Sequence, residues 1–253
     1  MLRTRVIPAL LLRNESLVKT RRFGAFTYVG DPCNTVRIFN ELEVDELIFL
    51  DITATRERRP PNLKVLADIA NECFMPLGYG GGIRSLDQAK SVFDIGFEKV
   101  AINTYAAEDP KIIAQVAEVY GSQAVIGSID VKADIWGRKR VYVASGRRQT
   151  GLDPVAWARQ LEAMGAGEIL LTSIDREGTW NGFDLDLVKS VTSAVSIPVI
   201  AQGGAGNVEH IEDVVKRGGA SAVAVGSMVV FQKKGMGVLV NFPDQRDLEA
   251  RLR

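Results

Sequence analysis

Apolar and β-branched residues gather in eight short runs: RVIPALLL (5 to 12), ELIFLDI (46 to 52), MPLGYG (75 to 80), KVAIN (99 to 103), QAVIGSID (123 to 130), EILLTS (168 to 173), IPVIAQ (197 to 202) and SAVAVG (221 to 226). Runs of this length and composition read as buried strands. Between most of them the period lengthens to that of a helix, as in NTVRIFNELEVD, LDQAKSVFDIG, DPKIIAQVAEVYG and DPVAWARQLEAMGAG, with Asp or Asn at the starts and Gly at several ends. Strict alternation of strand and helix implies parallel strands. Eight such units in 253 residues fit a closed (β/α)8 TIM barrel, an α/β fold that stays one domain at this length, so residues 1–253 are expected to form a single domain. One stretch breaks the rhythm: residues 131–145, with DIWGRKRVYVA inside them, read as a hairpin excursion above the barrel.

The pattern also repeats. GGGIRSLDQAKSVFDIGFEKVAINT (80 to 104) resembles GGAGNVEHIEDVVKRGGASAVAVGS (203 to 227), which aligns Gly80 with Gly203 at an offset of about 123 residues. VIPALLL (6 to 12) likewise parallels VIGSIDV (125 to 131). The offset exceeds solenoid periods, so two half-barrels of four units are expected in place of an open array.

Composition narrows the function. Lys plus Arg and Asp plus Glu are 31 each, so no overall field points to nucleic acid or an anionic membrane, and an anionic ligand must be held by local groups. Cys33 and Cys73 are isolated, which argues against a disulfide framework and a paired-cysteine metal site; no metal or cofactor is expected. The start, MLRTRVIPALLLR, has a seven-residue apolar run and no small-residue cleavage site, and reads as a strand rather than a signal peptide. No run approaches the ~18 apolar residues of a membrane span. A cytoplasmic protein is expected.

In such barrels the ligand lies at the C-terminal ends of the strands. The residues there are Leu11, Asp51, Gly81 with Gly82, Asn103, Asp130, Ser173, Gln202 with Gly203, and Gly226 with Ser227. Two Gly-rich turns, each followed by a helix starting near Ser85 or Val208, leave backbone N–H groups for an anion. Gly81 and Gly82 with Asn103 and Thr104, and Gly203 and Gly204 with Gly226 and Ser227, then form two phosphate cups facing each other across the mouth. A tight turn alone would also require glycine, but two turns at symmetry-related positions favour an elongated ligand with a phosphate at each end. Asp130 is placed to act as a general acid or base, or to bind the ligand. Asp51 is placed equally to order its loop or to hold Lys19. His210 reads as a solvated helical residue, and a histidine-based triad is not expected. At the opposite ends of the strands Arg5, Glu46, Lys99 and Glu168 would form a ring of two positive and two negative charges, which spacing alone reads as rim stabilisation.

These residues resemble the HisF-type cyclase subunit of imidazole glycerol phosphate synthase over essentially the whole chain. The resemblance runs through RVIP (5 to 8), DELIFLDIT (45 to 53), GGGIRSLDQAK (80 to 90), AIN (101 to 103), SGRRQTGLDPVAWA (145 to 158), GAGEILLTSIDREGT (165 to 179) and GGAGNVEH (203 to 210). It implies a HisH-like class-I glutaminase docked at the barrel bottom and ammonia passing through the Arg5, Glu46, Lys99, Glu168 gate. It also implies phosphate cups and a catalytic Asp130, with Lys19, Asp51 and Ser173 at the ligand. One position departs: the first strand of the family ends in a catalytic aspartate, whereas here Leu11 stands in Ala9-Leu10-Leu11-Leu12. The internal repeat marks the same position, because Leu11 parallels Asp130. Leucine cannot transfer a proton, and loss of one positioned acid or base costs ~10²- to 10⁴-fold. Arg13-Asn14-Glu15-Ser16, Gln202 in place of a serine, and the ending MVVFQKKGMGVLVNFP depart as well. The departures resemble the WbuZ branch of the family, associated with O-antigen sugar amidation, which implies a further ATP-dependent sugar amidotransferase-like partner. The alternatives are histidine-pathway cyclisation and a catalytically silent scaffold that activates the glutaminase.

Overall fold

A computed structural model describes residues 4–252. Twelve strands form within them: β1 (Arg5–Arg13), β2 (Ser16–Thr20), β3 (Phe26–Gly30), β4 (Leu47–Asp51), β5 (Leu77–Gly80), β6 (Lys99–Ile102), β7 (Val125–Ala133), β8 (Lys139–Val143), β9 (Arg148–Gln149), β10 (Glu168–Ser173), β11 (Val199–Gln202) and β12 (Ala222–Val225). Eight of them, β1, β4, β5, β6, β7, β10, β11 and β12, pair in parallel in that order. The circle closes where β12 pairs back onto β1, from Arg5↔Ala222 to Pro8↔Val225. These are the eight apolar runs, and the closed parallel sheet with intervening helices is a (β/α)8 barrel.

The helices start where the sequence supplies caps. The side chains of Asp31, Asn62, Ser85, Asp153, Asp184 and Asn207 each accept a backbone N–H from the first turn of the helix they precede, a contact worth about 1 kcal/mol per helix. Strand alternation then sorts the core into two clusters. Outward residues such as Leu10, Phe49, Tyr79 and Ile169 pack under the helices. Inward residues, including Ile7, Ala9, Ile48, Ala101, Leu170 and Ala222, fill the barrel itself. No helix among the described residues is long and apolar enough to cross a membrane.

One antiparallel excursion leaves the barrel at β7. β7 runs on to Ala133, pairs antiparallel with β8 from Asp130↔Tyr142 to Ala133↔Lys139, and β8 pairs with β9. It has an unexpected counterpart in the first half, where β1 runs on to Arg13, β2 folds back on it through Leu11↔Val18, and β3 follows β2. Sequence reading missed this second hairpin because β3 leaves its aromatics exposed. Phe26 and Tyr28 are 47% and 61% exposed, so no buried run marks the strand.

The half-barrel repeat also takes a different frame. Ser85 and Asn207 cap the two nine-residue helices Leu86–Asp94 and Val208–Lys216. The left-handed glycine pairs before them are Gly81–Gly82 and Gly203–Gly204. Gly81, not Gly80, therefore corresponds to Gly203. The run Gly80-Gly81-Gly82 permits either alignment by sequence, and only the turn geometry selects one. Gly218-Gly219 against the single Gly96 then restores the expected offset at Asn103 and Gly226.

Candidate active site

At the C-terminal ends of the barrel strands lies a cavity of about 750 Å³, within the usual range for a small-molecule site. Its walls are chemically unlike. β7, β10 and β11 present Ser128, Asp130, Thr172 and Gln202, whereas β12, β1, β4, β5 and β6 present Ala224, Leu11, Leu50, Gly80 and Ala101. Among these inward residues the polar groups are on one side, while Asp51 at the end of β4 and Lys19 and Thr20 of β2 also line the cavity. Leu11, 6% exposed, covers the opposite side with hydrocarbon.

Burial raises the Asp130 carboxyl to about 7, with the nearby Glu177 charge adding to the rise and hydrogen bonds from Thr172 and Asn103 opposing it. A carboxyl poised there can both hold and release a proton at neutral pH. Lys19, on β2, is buried, with its ammonium bonded to the Ala9 carbonyl. Burial lowers it to about 8, and Glu177 opposes the fall. Glu177, which sequence reading did not single out, is 7% exposed and accepts from Thr20 Oγ1 and the Phe23 N–H, both at 3.1 Å. Burial nevertheless raises its carboxyl. It ties the turn after β2 to the turn after β10 and sets the field between Lys19 and Asp130. Its signal in the sequence was the run SIDREGT directly after β10.

Asp51 lines the cavity, and of its two expected roles the structure displays loop ordering. Its Oδ1 accepts from the N–H groups of Thr53 and Ala54, each at 3.0 Å, and Oδ2 pairs with Arg59 at 2.8 Å. Lys19 is bonded elsewhere. Ser173 is a correction: it is 4% exposed and does not line the cavity, because strand alternation turns it outward and puts Thr172 inward. Its carbonyl instead accepts the N–H groups of Arg176 and Glu177.

Both glycine turns line the cavity, as do Asn103 with Thr104 and Gly226 with Ser227. Gly82, at φ 71°, lies where a Cβ would come within 2.6 Å of the Arg59 carbonyl. Gly204, at φ 118°, lies where a Cβ would collide with the Gly182 carbonyl. The turns thus need glycine for packing irrespective of a ligand. The donors carry the case for an anion. The N–H groups of Gly204, Ala205, Ser227, Ile83 and Thr104 have no acceptor among the described residues. Asn103 (φ −113°, ψ −84°) and Gly226 (φ −118°, ψ −87°) share one uncommon conformation, each opening a short helix, Thr104–Glu108 or Ser227–Val230. The Thr104 hydroxyl itself is occupied, accepting the Ala144 N–H at 2.9 Å and so holding the turn after β8 over the mouth. The mouth is rimmed by Arg13, Arg56, Arg58, Arg84 and Arg147. Among the described residues no group of three or more His, Cys, Asp or Glu could hold a metal ion.

At the other end of the barrel the four expected charges meet in a closed ring. Arg5 bonds Glu46 at 2.5 Å and Glu168 at 2.7 Å, while Lys99 bonds Glu46 at 3.0 Å and Glu168 at 3.3 Å. Each cation touches both anions, so the four charges form one neutral network at the bottom of the barrel. Between it and the upper cavity lies the apolar inner cluster.

Residues 5–234 match the histidine biosynthesis protein family. The chain is 49% identical to a Pseudomonas aeruginosa protein with the provisional name imidazole glycerol phosphate synthase subunit hisF2, over 98% of this chain and 99% of that one. It is 45% identical to the imidazole glycerol phosphate synthase subunit HisF of Leptospira biflexa, over 90% and 89% of the two chains. A Vibrio vulnificus protein provisionally named subunit hisF3 is 42% identical, over 100% and 97%. With these matches spanning nearly the full length of both partners, and a barrel carrying the ring, the glycine turns and Asp130, the chain belongs to the HisF family of histidine-biosynthesis proteins.

Proposed function

We propose that this HisF-like synthase subunit receives ammonia from a HisH-like class-I glutaminase seated over the Arg5–Glu46–Lys99–Glu168 ring and delivers it to a phosphorylated ligand held at the barrel top. We further propose that the ligand belongs to acetamidino-sugar synthesis for O-antigen or lipopolysaccharide, in concert with an ATP-dependent sugar amidotransferase-like enzyme. The observation that carries the second step is Leu11 facing Asp130. The cavity retains the five unoccupied backbone N–H groups that suit phosphate, but its first-strand wall is hydrocarbon where a second proton carrier would stand.

The barrel interior supports the ammonia route on physical grounds. Ile7, Ala9, Ile48, Ala101, Ala222 and their neighbours offer no polar partner, so an ammonium ion would be strongly penalised there, whereas neutral ammonia loses only a modest hydration energy. Ammonia kept out of bulk water also stays unprotonated. In the ring, one cation must leave its two carboxylates for a molecule to pass, and Lys99, with a single flexible ammonium, gives up less geometry than Arg5, whose planar guanidinium bridges the two carboxylates through separate nitrogens.

The second reading is imidazole glycerol phosphate formation, favoured by the names of the relatives and by two cups suited to a ligand with two phosphates. A silent scaffold would need neither the cups nor a carboxyl poised near neutrality. Glutaminase assays on the reconstituted complex test the ammonia route. Lys99→Ala is expected to leave docking intact but to release glutamine-derived ammonia into solution in place of delivering it. Unchanged coupling in the variant would return the ring to structural stabilisation.

A further inference from the structure

The two glycine turns are fastened by the same device built from different side chains. In the first half Ser85 caps the helix, and Gln88, three residues on, reaches back so that its Oε1 accepts the Arg84 N–H at 2.8 Å. In the second half Asn207 caps the helix, and His210, three residues on, reaches back so that its Nδ1 accepts the Gly206 N–H at 3.2 Å. Arg84 and Gly206 are equivalent positions, each immediately before a cap. An acceptor three residues into a helix that returns to the residues ahead of it is a reciprocal cap, and it fixes the path by which the chain enters. Here that path is the turn containing Gly204 and Ala205, whose N–H groups line the cavity.

The chemistry of the two acceptors differs. An amide oxygen accepts at any pH. An imidazole nitrogen accepts only while it is unprotonated, and histidine is the side chain whose charge ordinarily changes between pH 5 and 8. His210 is also the chain's single histidine. The loop it supports has little slack: Gly182 donates to the Gly204 carbonyl at 2.9 Å, and a Cβ on Gly182 would lie 3.3 Å from the imidazole Cδ2.

We propose that His210 is a positioning residue that makes the second anion cup responsive to pH, while Gln88 leaves the first cup indifferent to it. The proposal rests on the reading of the two turns as anion cups. Neutral His210, carrying its proton on Nε2, holds the Gly206 N–H and with it the turn. Imidazolium cannot accept that bond, so protonation leaves the Gly206 N–H facing another N–H donor and releases the turn.

Charged groups around His210 are Glu209, Glu212 and Asp213 on its own helix and Arg251, which pairs with Glu209 and Glu212. From the segment after β10 come Arg176 and Asp184, the latter paired with Lys139, and Lys234 reaches the same segment through Asn181. In the cavity, burial brings Asp130 up to about 7 and Lys19 down to about 8. A substitution at His210 separates its contribution from all of these, because they are present in both proteins.

The test uses sulfate, whose charge is constant from pH 5.5 to 8.5, with binding followed at the amides of Ser227 and Thr104 by NMR in the native chain and in His210→Gln. The variant gives the second half the acceptor of the first. At pH 8.5 the two proteins are expected to bind sulfate equally at both cups. At pH 5.5 the native second cup should be about fivefold weaker than that of the variant, the effect of losing one capping contact, with the first cups still equal. Imidazole nitrogen shifts should show the Nε2–H tautomer at pH 8.5. Equal pH dependence in the two proteins, a native second cup that tightens relative to the variant as pH falls, or an Nδ1–H tautomer would each overturn the role of His210 while leaving the cups in place. Absence of sulfate from both cups at every pH would overturn the cup reading and this proposal together.

Discussion

Leu11 and Asp130 occupy matching places in the two half-barrels and have opposite chemical natures, so of this pair only Asp130 can handle a proton. Asp130 bears the cost of that position. An acid whose folded value is raised from about 4 to about 7 adds no penalty below pH 4. The penalty grows between pH 4 and 7 and is fully present above pH 7, because the folded chain holds the proton more tightly than the unfolded one. Asp130→Asn should therefore stabilise the protein above pH 7, on the order of 2 kcal/mol once cavity water is allowed for, and change little at pH 4. Urea unfolding at the two pH values measures this. Equal stabilisation at both would mean that Asp130 is not held near neutrality. The neighbouring Lys19 runs in the opposite sense. Its lowered value, about 8, makes the buried cation costly at and below pH 8 and progressively less so above it.

At the scale of elements, the eight barrel strands were legible because each is buried on both faces and reads as an unbroken apolar run. The caps Ser85 and Asp153 marked helix starts for the same local reason. The β2–β3 hairpin was not legible, since β2 ends on the polar Lys19 and Thr20 and the aromatics of β3, Phe26 and Tyr28, are exposed. Ser173 was misplaced by counting strand ends without their alternation, which assigns the cavity to Thr172. Glu177 lay outside any strand end, and its role arises from a contact across 157 residues with Thr20. That contact is the main side-chain clasp between the two turns. Glu177→Ala should free the segment from Thr20 to Gly24, speeding amide exchange at Phe23 at least tenfold with a global stability loss of about 1–3 kcal/mol. Exchange at Phe23 unaltered by the substitution would show that the turn is held by the Arg22 N–H to Glu177 carbonyl bond alone.

The whole molecule is neutral, with 31 cationic and 31 anionic side chains, yet its charges are organised along the barrel axis. A neutral four-membered ring lies at one end, an apolar sleeve follows, and an arginine-rimmed cavity with open backbone donors lies at the other. On the proposed reading this arrangement carries a small uncharged nucleophile to an anionic acceptor, and Leu11 is the position that would separate it from a fully equipped cyclase. The most direct measurement is steady-state cyclisation of the histidine-pathway substrate, phosphoribulosyl-formimino aminoimidazole carboxamide ribonucleotide, with ammonium salt in place of the glutaminase. It should compare the native chain with Leu11→Asp. At the mouth an added carboxylate reaches cavity water, so the substitution should not carry the full cost of a buried unpaired charge. The native chain is expected to turn over at least ~10²-fold more slowly than a cyclase with both acids, and Leu11→Asp to recover a measurable part of the difference. Full turnover by the native chain, with no gain on substitution, would contradict the sugar-amidation reading and show that Asp130 needs no acid across the barrel.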